Sequence, residues 1–159
     1  MREPNADFTL TVTGTRKRCP VGESTGAQYM TEKKTPILSC AGACIRGEIA
    51  RIAANMVVSK NDRFRHACHG EVLTVPGSGF DNWVTAADKV ILIDGCFMRC
   101  WGRILENLLP EDRLVQFDAL SHYKKYTNVF DIEAVPESER NQAAQSVAQW
   151  VLASIELDT

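Results

Sequence analysis

The chain has 159 residues, of which 45% are apolar and 24% charged, and 18 basic against 20 acidic side chains leave a net charge of −2. That length and balance suit one domain with its own core, and they argue against the basic face that a nucleic-acid partner would need. No run approaches the ~18 apolar residues of a membrane helix, so no membrane partner is expected.

Residues 1–35 differ from the remainder and read as an N-terminal extension. The first seven residues lack the basic-then-apolar pattern of a secretory leader, so a cytoplasmic location is expected. Residues 8–13 alternate like a strand and stop at Gly14. Polar sequence follows as far as Lys34. An extra edge strand with a long loop and a loosely attached extension both fit.

Residues 36–159 read as a single α/β domain. Ile37-Leu38-Ser39 is a short buried strand. Residues 45–58 place Ile45, Ile49, Ile52, Ala53, Met56 and Val57 at helical spacing. Residues 63–68 form a second strand, with Val72-Leu73-Thr74-Val75 as a rival. The Pro76-Gly77-Ser78-Gly79 turn follows, then a short helix over 80–87. Residues 89–93 are the clearest strand, continuous and apolar like a central parallel strand. A helix over 98–109 is stopped by Pro110, and residues 114–117 make a fourth strand. A terminal helix over 138–155 carries Ala144, Val147, Ala148, Val151, Leu152 and Ile155 on one stripe. Strands alternating with helices imply a small open parallel sheet of about four strands in flavodoxin-like winding, order 2-1-3-4.

Four of the six cysteines repeat one spacing, Cys40/Cys44 and Cys96/Cys100, each pair just after an apolar strand. Ligands of open α/β sheets sit at the carboxyl ends of strands, and the predicted order brings these pairs together there. Cys68 arrives at the same end if residues 63–67 are the second strand. Thiols in a reducing compartment point to metal or redox chemistry rather than to structural disulfides. Four thiolates suit a tetrahedral zinc site, and an iron–sulfur cluster uses the same ligand type. Cys40, Cys96 and Cys100 are therefore expected to share one ion, with Cys68 or Cys44 completing the set. His66 and His69 flank Cys68 and are further candidates, and His122 follows the fourth strand. Asp94 is expected to orient a ligand or to accept from backbone amides, and Gly95 to permit a sharp turn. Cys19 has no assigned role. Trp83, Trp101 and Trp150 read as core or interface residues, and the clusters Arg16-Lys17-Arg18, Lys33-Lys34 and Lys124-Lys125 as solvated surface.

The Ile93-Asp94-Gly95-Cys96 run followed by Cys100 carries a resemblance. Residues 39–118 are similar to the DGC-domain family of zinc-binding proteins, named for its Asp-Gly-Cys motif and described by four shared cysteines. The first family motif is a small-residue turn and a helix, here Cys40-Ala41-Gly42-Ala43 and Gly47-Glu48-Ile49-Ala50. The resemblance implies Cys40, Cys68, Cys96 and Cys100 as the shared thiols. Cys44 departs from the pattern and stands as a fifth thiol, a substitute ligand or a resolving thiol.

A rival reading starts from Cys40 and Arg46, which satisfy C-x5-R. That spacing resembles the phosphate-binding loop of low-molecular-weight tyrosine phosphatases and related arsenate reductases, with Cys40 as nucleophile and Arg46 cradling the oxyanion. Gly47 stands where that family has Ser or Thr, and the chain contains no Asp-Pro dipeptide for its general acid. Neither a P-loop nor a G-x-G-x-x-G fingerprint occurs. The protein partner is left open.

Overall fold

The computed structural model describes residues 7–157. Its centre is a four-stranded, all-parallel sheet in the order β2-β1-β3-β4. The strands are β1 (Thr35–Ser39), β2 (Phe64–His66), β3 (Val90–Asp94) and β4 (Leu114–Asp118). The pairing sets Ile37 against Ile91 and His66, and Asp94 against Asp118. This is the predicted winding, and the first strand lies between the second and third.

The side-chain period of two divides the sheet between two cores. Ile37, Ile91, Ile93 and Phe117 face α2 (Ile45–Lys60) and α7 (Glu137–Leu157). Those helices meet through Ala50, Ala53, Ala54, Ala144 and Ala148, all fully buried. Leu38, Val90, Leu92 and Leu114 face the other way, toward Val72, Trp83, Val84 and Leu105. These belong to α3 (His69–Thr74), α4 (Gly79–Ala86) and α5 (Cys100–Leu105). Both faces are covered, which is why β1 and β3 read as continuous apolar runs.

Four expectations need correction. Residues 8–13 form no strand, and Phe8, Leu10 and Val12 are exposed. Alternation alone does not make a strand when no sheet edge pairs with it. The polar stretch that follows instead contains α1 (Pro20–Thr31), capped by Cys19 with Pro20 in its first position. Gly22 and Gly26 obscure this helix because they depress its propensity. They are there for contact, since a Cβ on Gly26 would stand 2.2 Å from the backbone of Gly79 in α4. Finally, Val72 belongs to α3 rather than to a strand, and the helix foreseen over 98–109 is shortened to α5. Arg99, just ahead of it, has φ of 47° and cannot continue a right-handed helix. Its side chain is held by Gln116 Oε1 at 2.7 Å and by Glu106.

Candidate functional site

The carboxyl ends of β1, β2 and β3 lie at one edge of the sheet, and a cysteine follows each. Cys40 comes directly after β1, and its N–H donates to the Ile93 carbonyl at 2.8 Å. Cys68 comes two residues after β2 and precedes α3. Cys96 comes two residues after β3, and Cys100 opens α5. Cys44 precedes α2. Cys40, Cys44 and Cys96 are half-buried, Cys68 and Cys100 exposed. Cys19 lies apart from this set as the cap of α1, its Sγ accepting from the Gly22 N–H at 3.4 Å.

The turn around Cys40 is built on backbone-to-backbone contact. A Cβ on Gly47 would sit 2.6 Å from Gly42 N, and one on Gly95 would sit 2.8 Å from the Arg46 carbonyl group. Gly42, the first turn of α2 and Gly95 are thereby layered with no space between them. Gly95 is required by this close approach; it does not have the positive φ that a sharp turn would use. The same contact excludes Ser or Thr at position 47. The backbone N–H groups of Gly42 and Gly95 favour the thiolate form of Cys40. Burial still pushes the Cys40 thiol up from its ordinary pKa, the two N–H groups pull it back in part, and Asp94 and Cys44 add to the rise.

A chain of contacts ties the cysteine-bearing segments together. The Ser39 N–H donates to His69 Nε2 at 3.2 Å. The His69 ring packs on Trp101 with centroids 4.5 Å apart. The N–H groups of Trp101 and Gly102 donate to the buried Asp94 carboxylate at 3.3 and 3.0 Å. Ser39, His69 and Trp101 are direct sequence neighbours of Cys40, Cys68 and Cys100, and Asp94 is two residues from Cys96. Asp94 thus accepts from backbone amides, one of its two expected roles. Burial raises the Asp94 pKa, with the Gly102 and Trp101 amides opposing. Burial lowers the His66 and His69 pKa values, so His69 serves as a neutral acceptor. His122 is occupied elsewhere, stacked on Trp150 at 4.8 Å and bonded to Ser146 at 3.0 Å.

Tyr123 at this edge was not foreseen, whereas Arg46 was expected only as an oxyanion ligand of the C-x5-R loop. The Tyr123 hydroxyl and Arg46 Nε are buried with no hydrogen-bond partner among the described residues. Tyr123 lies within electrostatic reach of Arg46, Cys44 and Cys96, and burial raises its pKa. Arg46 donates from Nη2 to the Thr127 carbonyl at 3.0 Å. Tyr123 belongs to α6 (Ala119–Tyr123), far along the chain, and no local pattern signals its approach.

Five thiols, a ligand type that soft metals favour, stand at one edge of the parallel sheet. The coordination shell is not preassembled: among the described residues no three Cys, His, Asp or Glu side chains form a group able to hold a metal ion. Fold and site together define an open α/β domain with a thiol-lined strand edge. The family model for the DGC domain matches residues 36–147, most of the chain, and the protein belongs to that family. No curated protein and no solved structure matches it.

Proposed function

We propose that this protein binds a thiophilic metal ion, zinc before an iron–sulfur cluster, through Cys40, Cys68, Cys96 and Cys100, as a cytoplasmic metal carrier or sensor. The observation that carries the reading is the bonded chain Ser39–His69–Trp101–Asp94, which links the four segments that bear these cysteines. Cys44 is not adjacent in sequence to any member of that chain, although it lies near Cys40. Family membership supports the same reading, since the DGC domain takes its name from the run found here at Asp94-Gly95-Cys96.

Bound zinc would supply a closed tetrahedral centre or a transferable cargo. The chain's own part is to hold the segments in register while the exposed Cys68 and Cys100 side chains turn inward. Deprotonating the half-buried Cys40 is helped by the Gly42 and Gly95 N–H groups, which favour a thiolate. The rival, a Cys40 nucleophile in a C-x5-R loop, has less support. Gly47 leaves no room for the Ser or Thr that assists such a thiolate, and one Arg46 nitrogen is engaged by Thr127.

Elemental analysis of the purified protein with a thiol count tests the proposal. One equivalent of zinc with four thiols protected from alkylation is expected. Cys68→Ser should reduce metal content and Cys44→Ser should not. A metal-free protein with turnover of aryl phosphates or arsenate, lost in Cys40→Ser and Arg46→Ala, would install the enzyme reading instead.

A further inference from the structure

The opposite end of the sheet carries an arrangement that the thiol edge does not use. A cation stands just before each of the first three strands: Lys33 and Lys34 before β1, Arg63 before β2 and Lys89 before β3. These four line a single cavity of about 310 Å³, joined by Trp83 and Asp88. That volume lies at the lower end of the range for small-molecule sites, roughly 300–1,000 Å³.

The charges are only partly neutralised. Lys34 Nζ is paired with Asp62 Oδ2 at 2.6 Å. Lys89 Nζ donates to a neutral group, the Asp112 carbonyl, at 2.6 Å. Arg63 Nε reaches the Thr35 hydroxyl at 3.4 Å, and its guanidinium lies over the Phe64 ring. Lys33 makes no ion pair among the described residues. Three cations without a carboxylate partner therefore face one lining acid, Asp88.

The backbone at Lys33 points the same way. Its N–H donates to the Met30 carbonyl and the Lys34 N–H to the Tyr29 carbonyl, which closes α1 in a Schellman motif. Lys33 has φ of 52° in the left-handed position where glycine is usual. A lysine there brings a charge to the cavity at a conformational cost. Complementing the negative end of α1 would explain Lys33 and Lys34 alone. Arg63 and Lys89 arrive from other strands.

We propose that this cavity binds a small ligand through a phosphate-type oxyanion, free or esterified, held by Lys33, Arg63 and Lys89. The guanidinium suits two-point contact with such an anion, and the ammonium groups supply point charges. The apolar side chains of Met30, Ala86 and Ala87 would face the organic part of an ester. The site lies away from the thiol edge and stands whether or not metal binds there.

The test is an amide NMR titration of the full chain with inorganic phosphate and with phenyl phosphate. Saturable shifts are expected at Thr35, Lys89 and the Trp83 indole N–H, which donates to the Lys34 carbonyl. They should weaken with added salt. Arg63→Gln should reduce affinity about tenfold, the loss of one charge-assisted contact. Lys33→Gly should do the same with no loss of melting temperature, because glycine suits that backbone. Tighter binding of phenyl phosphate would mark an ester as the ligand, and equal binding the free oxyanion. Absence of saturable shifts with either probe, or undiminished binding by both variants, would overturn the site.

Discussion

A methyl group has no place at Gly95, where the β3 turn rests on the first turn of α2. Gly95→Ala is expected to cost about 1–3 kcal/mol in urea unfolding, the range for overpacking against an unyielding neighbour. Tyr123→Phe removes a buried hydroxyl that has no partner, so the metal-free protein should be no less stable than the wild type. A drop in its melting temperature would show that the hydroxyl is bonded after all. His69 tests the contact chain. His69→Ala should reduce zinc affinity about 10–100-fold, the usual effect of losing a group that orients a ligand segment. His69→Gln, which keeps an acceptor for the Ser39 N–H, should recover part of it. The pH dependence follows from the same ring. Burial lowers the pKa of His69 on folding, so below its ordinary value of about 6.5 the unfolded chain binds more protons. The metal-free protein should therefore keep this contribution above that pH and lose it as pH falls through the folded value. The loss between pH 7 and 5 should shrink in His69→Gln, and a pH profile unchanged in that variant would contradict the assignment. Among single residues, the placement of the thiols and Asp94 at the strand ends was legible because their spacing and position after strands carry the signal, whereas the close packing that requires Gly95 was not. Tyr123 and the contact between His69 and Trp101 were not, because each joins segments distant in sequence.

The helices divide by how openly they advertise themselves. α2 and α7 show apolar residues at helical spacing, and burial follows that stripe at Ala144, Val147, Ala148, Val151 and Ile155. α1 hides because its contact with α4 is made by glycines rather than by a stripe of large apolar residues. Its start signal, Pro20 after Cys19, sits inside a polar stretch. Gly26→Ala tests the element directly. The added Cβ meets the Gly79 backbone at 2.2 Å, so it should cost stability instead of giving the gain of up to ~1 kcal/mol that Gly to Ala brings at an open helix position. A stabilised Gly26→Ala protein would mean that α1 does not rest on α4. The strands were legible in type and order, since β1 and β3 are short apolar runs and parallel crossovers leave few windings. The alternation at residues 8–13 misled for the complementary reason, as a local pattern cannot report whether a sheet edge pairs with it.

At the scale of the whole molecule, one parallel sheet presents thiols at its carboxyl edge and cations at its amino edge. The two apolar cores lie between them, and of the five thiols only Cys40 packs against one, at its margin. Removing a metal should therefore lower the melting temperature but leave a folded protein, because binding free energy adds to folding free energy without replacing it. Collapse of the far-ultraviolet circular dichroism on chelation would show instead that the metal builds the fold. The proposed thiolate centre itself is reached most directly by zinc-edge X-ray absorption on the protein as purified. A first shell of four sulfurs near ~2.3 Å is expected, falling to three in Cys68→Ser and remaining four in Cys44→Ser. A shell dominated by nitrogen or oxygen, or one unaffected by Cys68→Ser, would contradict it.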